Sequence, residues 1–152
     1  MNDRSESRFW KKVQRDGNCL IWLGSLSADG YGRVYADDRL WVAHRYAWSL
    51  AGRQVPEGMQ LDHTCWATAC VNVEHLRLAT PAQNSSSRRG ANATNRHTGI
   101  RNVYPNDAGF AVRIRKGGAL LNFGTYATPS EAEKVAIRER ERLFGAYAGG
   151  SR

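Results

Sequence analysis

Ser85 to Arg96 (SSSRRGANATNR) holds almost nothing apolar to bury, and its Ser, Asn, Gly and Arg content reads as linker. Such a run in the middle of 152 residues leaves two pieces, each too small to sustain an ordinary core without help from a metal or a partner. The expected organisation is residues 1–84, a basic linker at 85–97, and residues 98–152.

Charge follows the same division. Residues 1–84 carry 10 Lys/Arg against 9 Asp/Glu, whereas residues 85–152 carry 12 against 5, so nearly all of the net +8 lies in the second part. That excess points to a polyanionic partner, of which nucleic acid is the commonest. The five tryptophans and three cysteines all lie in the first part, as expected of a packed core that a metal could staple. No apolar run approaches the roughly 20 residues that cross a bilayer. Met1 to Lys12 is charged and lacks the apolar segment of a secretion signal, so the expected compartment is the cytoplasm, with no membrane and no obligate protein partner. Three cysteines there are buried thiols or metal ligands rather than a disulfide framework.

In the first part, Cys19 to Leu23 and Tyr31 to Tyr35 read as a hairpin across the turn Ala28-Asp29-Gly30, with a third strand after Asp37-Asp38. Val42 to Ala51 turns helical, with Ala43, Tyr46, Ala47 and Leu50 on one stripe and Gly52 as the stop. A short strand ends at Leu61-Asp62-His63. Thr80, Pro81 and Gln83 form a capping box that puts Asn84 early in a helix. A strand ending in Asp-His and a helix carrying a polar ligand can converge on one small cation, with the carboxylate on metal and the imidazole on water. The plainer alternative makes Asp62 a turn cap and His63 a hydrogen-bonded core residue.

These segments resemble the HNH nucleases of the ββα-metal fold, and among them the phage-type homing endonucleases. The likeness is carried by AHR (43–45), GMQLDHTC (58–65), CVNVEHL (70–76) and TPAQN (80–84). It implies that His63 is the general base and that Asp62 and Asn84 hold Mg²⁺ or Mn²⁺. The interval from His63 to Asn84 is 21 residues. The family's middle residue falls at His75 here, with Asn72 three positions before it, so the middle catalytic role stays open between Asn72 and His75. The chemistry implied is one-metal phosphodiester hydrolysis leaving a 5′-phosphate and a 3′-hydroxyl, and a phage-encoded chain would act in the host cytoplasm or nucleoid.

Cys19, Cys65, Cys70 and His75 make a ligand set for a closed, tetrahedral structural zinc. His44 is a rival fourth ligand, and three buried apolar thiols remain the alternative.

The second part reads as strands at Ile100 to Tyr104, Phe110 to Lys116 and Ala119 to Phe123, followed by a helix capped by Thr128, Pro129 and Glu131. Phe110, Val112 and Ile114 face one way, and Ala111, Arg113 and Arg115 the other. TGIRNV, AVRIRK, NFGTYATPSEAEKVA and FGAYA resemble the APETALA2-like DNA-binding domain, a three-stranded antiparallel sheet on one helix. That likeness implies that Arg101, Arg113, Arg115 and Asn122 face DNA. Lys116 and the linker cations Arg88, Arg89 and Arg96 join them on charge, with Arg45 and Arg77 from the first part, although each taken singly also reads as a solvated charge.

The expected fold class is α+β: an N-terminal ββα-metal HNH unit, the basic linker, and a C-terminal three-stranded sheet packed on one helix. The expected function is site-specific cleavage of double-stranded DNA. The alternatives are a zinc-stapled DNA-binding protein without activity, and a restriction or defence nuclease.

Overall fold

A computed structural model describes residues 3–93 and 95–150. The chain forms two compact units, Met1–Pro81 and Ala82–Arg152. The interval read as linker belongs to the second of them.

The first unit contains α1 (Asp3–Trp10) and three two-stranded antiparallel pairs: β1 (Val13–Asp16) with β2 (Cys19–Trp22), β3 (Arg33–Ala36) with β4 (Arg39–Val42), and β5 (Gln60–His63) with β6 (Leu76–Ala79). Helix α2 (Ala43–Leu50) follows β4, and a 3-10 turn, Val73–His75, leads into β6. The expected pairing of Cys19–Leu23 with Tyr31–Tyr35 is not formed. Gly17 adopts φ +55° in a two-residue turn that folds Cys19 back onto Asp16. Asp37 and Asp38, at φ +49° and +60°, close the next hairpin, so Arg33–Ala36 pairs forward instead. The turn at Ala28–Gly30 closes only the isolated bridge between Leu26 and Gly32.

Phe9, Trp22, Ala36, Ala43, Tyr46, Ala47 and Val71 form the main core of this unit. Phe9 stacks on Trp22 with ring centroids 5.0 Å apart and meets Tyr46 edge-on at 5.2 Å. Each such buried ring contributes roughly 2–3 kcal/mol of transfer free energy. Gly32 is constrained by this packing, because a Cβ there would strike the Trp22 indole and the Ala43 methyl. A second cluster of Trp48, Leu61 and Leu76 holds α2 against β5 and β6.

The second unit begins within α3 (Pro81–Ser86) and contains the antiparallel sheet β7 (Val103–Asn106), β8 (Gly109–Lys116) and β9 (Ala119–Tyr126), in that order, followed by α4 (Pro129–Phe144). The capping box of α4 forms as read: Thr128 accepts from the Glu131 amide and Glu131 from the Thr128 amide. Ala132 and Ala136 pack on Ile100, Val103 and Val112. Strand β7 starts three residues later than expected, because the Asn95 amide donates to the carbonyls of Ile100 (2.8 Å) and Val103 (2.9 Å) and holds the chain in a turn. The register shifts between Ala111 and Arg113, so Ala111 and its neighbour Val112 are both buried, and the expected alternation holds only from Arg113 onward.

The segment expected to be linker is part of this fold. Ser87 and Asn95 are buried, and so is Arg101 at 4% exposure. Arg101 therefore cannot lie on the exposed DNA-facing side of the sheet. Its guanidinium donates to the carbonyls of Ser86 (2.6 Å), Arg88 (2.7 Å) and Ala148 (3.0 Å), tying the end of α3 to the residues after α4.

Candidate metal and nuclease centre

Asp62 and His63 close β5, and both are buried at 6% exposure. Asp62 lies directly across from Arg77 on β6. Arg77 Nε and Nη2 are each 2.8 Å from Asp62 Oδ2. Arg77, expected among the DNA contacts, is instead the counter-ion of the carboxylate expected to hold metal.

His63 Nε2 lies 2.9 Å from the Cys70 carbonyl oxygen. A carbonyl can only accept, so Nε2 carries the proton and Nδ1 is the lone-pair nitrogen of the neutral ring. Burial pushes the His63 pKa down, opposed in part by the Cys70 bond and the Asp62 charge. The His44 ring meets His63 at 4.7 Å in a T-shaped contact, and Tyr31 lies 6.0 Å from His63. His44 Nδ1 is buried with no hydrogen-bond partner among the described residues, and desolvation, followed by the charge of His63, lowers its pKa to about 3. His44 thus packs on the candidate base and is absent from the cysteine cluster. Asn72 is engaged by nearby backbone, since its Oδ1 accepts from the Glu74 amide at 3.1 Å and its Nδ2 donates to the Asn18 carbonyl at 3.0 Å, capping the 3-10 turn.

The ligand atoms of Cys19, Cys65, Cys70 and His75 lie within 4.8 Å of one another. Backbone pairing assembles them. The amide of Val71 donates to Leu20 O (2.7 Å), that of Trp22 to Ala69 O (2.9 Å), and that of Thr64 to His75 O (2.9 Å), so the loop after β5 is sewn to β2 and to the start of β6. His75 Nδ1 is 3.5 Å from Cys19 Sγ and 3.6 Å from Cys70 Sγ. A tetrahedral zinc with Zn–S near 2.3 Å and Zn–N near 2.0 Å sets S···N separations of roughly 3.5 Å, so the donor set fits that ion. Burial and the neighbouring Cys70 and Cys65 thiols push Cys19 up to about 12. A divalent cation between the sulfurs reverses that balance and favours the thiolates.

Asn84 lies on α3, in the second unit, whereas Asp62 and His63 belong to the first. Arg45, Arg88, Arg89, Arg96, Arg113, Arg115, Lys116 and Asn122 are exposed. Arg115 donates to Gly118 O in its own hairpin (2.8 Å), and Lys116 to Leu143 O (2.8 Å).

Residues 42–86 match the model of the HNH endonuclease family. The HNH segment runs from the end of β4 through α3 and contains Asp62, His63, Cys65, Cys70, His75 and Asn84, but not Cys19. The chain is similar to protein 7.7 of Escherichia phage T7, 35% identical over 68 residues that make up 45% of this chain and 52% of that protein. It is also similar to protein 2.8 of the same phage, 32% identical over 49% of this chain and 51% of that protein. The gene 5.3 protein of Enterobacteria phage T3 is 33% identical over 39% of this chain and 65% of its own length. The chain therefore spans about half the length of the two T7 relatives. No solved structure matches.

Three features of the HNH segment were missed in the sequence: the Arg77 counter-ion, the Cys70 carbonyl on the base, and His44 against it. Only the Arg77 pairing had a signal there, since aligning Leu61-Asp-His63 with Leu76-Arg-Leu78 as antiparallel strands sets Asp62 opposite Arg77.

Proposed function

We propose that this protein is a site-specific DNA endonuclease of the homing type, acting by one-metal hydrolysis. The observation that carries this reading is His63: a buried, neutral imidazole at a strand end, its Nε2–H fixed on a carbonyl and Nδ1 left as the basic nitrogen, inside a segment that matches the HNH family. Nδ1 takes the proton from a water as that water attacks phosphorus in line, and an ordinary imidazole pKa near ~6.5, lowered here by burial, keeps the base unprotonated at neutral pH. Asp62, a hard oxygen donor, would hold Mg²⁺ or Mn²⁺, which would supply charge stabilisation at the phosphate and the departing 3′-oxygen. Arg77 neutralises the buried Asp62 carboxylate and keeps it oriented. Cys19, Cys65, Cys70 and His75 hold a structural zinc that fixes the loop presenting the Cys70 carbonyl to the base. The exposed cations Arg89 and Arg96 of the second unit bind duplex DNA through phosphate.

The test is incubation of supercoiled plasmid carrying candidate target sites with the zinc-loaded protein and either Mg²⁺ or Mn²⁺. Nicked or linear products with 5′-phosphate and 3′-hydroxyl ends at fixed positions are expected; intact plasmid with both ions refutes the reading. The Arg77–Asp62 pair favours a second reading, a zinc-stapled DNA-binding protein in which the carboxylate is permanently occupied; such a protein would bind the plasmid and leave it uncut.

A further inference from the structure

The second unit contains a cavity of about 790 Å³, within the ~300–1,000 Å³ range of small-molecule sites. Arg88, Arg113 and Arg115 line it together with the rings of Tyr104, Phe144 and Tyr147, and no Asp or Glu among the described residues does. The guanidiniums of Arg88 and Arg113 are exposed, and neither makes a hydrogen bond or ion pair among the described residues. Cations gathered around one concave space without an acid repel each other until an anion enters. The rings are half-buried in the same wall, so the ligand must also present a flat, stackable surface.

Phosphate next to a flat ring is the chemistry of a nucleotide. A base paired within a duplex pays a few kcal/mol of unpairing and unstacking to enter a concavity, a cost that an unpaired base avoids. The geometry points to a binding site for an unpaired nucleotide of single-stranded DNA, with its phosphate at Arg88 and Arg113 and its base against Tyr104 or Tyr147. Residues 82, 83, 85 and 86 of α3 line the same cavity, which puts this seat on the helix that carries Asn84. The inference rests on the nucleic-acid part of the proposed function and does not depend on cleavage.

The test is fluorescence anisotropy of the zinc-loaded full chain with a labelled oligothymidine and a hairpin-closed duplex, with no added Mg²⁺ or Mn²⁺. Oligothymidine binding should weaken about ten-fold in Arg113→Ala and about five- to a hundred-fold in Tyr104→Leu, with Tyr104→Phe keeping wild-type affinity and duplex binding changing much less. Arg113 is exposed, so its variant folds even if Tyr104→Leu does not, and thermal melting checks both. Equal losses for duplex and oligothymidine, or none for either, overturn the inference while leaving the endonuclease reading intact. Failure of the wild type to bind DNA in either form overturns both.

Discussion

Cys70 contributes to two sites at once. Its sulfur belongs to the four-ligand cluster and its carbonyl oxygen fixes the tautomer of His63, so the backbone at one residue links a metal staple to the candidate base. Arg77 and Arg101 show how differently two arginines expected on DNA are used. Arg77 sits a quarter exposed against a carboxylate that is 7% exposed. Arg77→Ala should lower stability by about 2 kcal/mol in urea unfolding, less than the ~3–5 kcal/mol of a fully buried pair because Arg77 reaches solvent. An unchanged midpoint would mean that Asp62 finds another partner. Arg101 donates to carbonyls through Nη1 and Nη2, and the chain closes over it at Gly149, where φ is +67° and a Cβ would strike both the Arg101 guanidinium and the Arg88 carbonyl. Gly149→Ala should cost at least ~1–3 kcal/mol in the same unfolding experiment, and wild-type stability would show that the tail can move aside.

At the level of elements, the first unit is three small hairpins and a long loop, and the cysteine cluster binds β2, the loop and the 3-10 turn together. Metal analysis should find about one zinc per chain. Cys70→Ser should lose it and shift the melting of the first unit, while the capped helix of the second unit persists by circular dichroism. A zinc-free wild type that melts like the loaded protein would reject the staple. Which elements were legible in the sequence follows from how local their causes are. The α4 cap, the α2 stripe and the strand ending at His63 depend on residues a few positions apart, and all three are where the sequence puts them. The partner of β2 depended on choosing between two turns of similar chemistry, Gly17-Asn18 and Ala28-Asp29-Gly30, and the tighter two-residue turn prevailed. The burial of Arg101 depends on carbonyls up to 49 residues away, which no local pattern reports.

Across the whole molecule, the charge division survives the structure while the linker does not. Counted by compact unit, the first carries 10 Lys/Arg against 9 Asp/Glu and the second 12 against 5. The polar run from Ser85 to Arg96 looked unburiable because its side chains are small and polar, yet Ser87 and Asn95 are buried, Asn95 by bonding backbone carbonyls. Affinity for duplex DNA should fall steeply between about 50 and 200 mM salt, and Arg89→Ala with Arg96→Ala should flatten that slope. A slope unchanged by both substitutions would move the phosphate contacts elsewhere. The central claim is that His63 is the base of a metal-dependent nuclease. Its most direct test compares the plasmid cleavage rate of wild type and His63→Ala in Mg²⁺ at neutral pH, with zinc content measured alongside. The account predicts a loss of about 10²–10⁴-fold with zinc retained, and cleavage by the variant at the wild-type rate would contradict it.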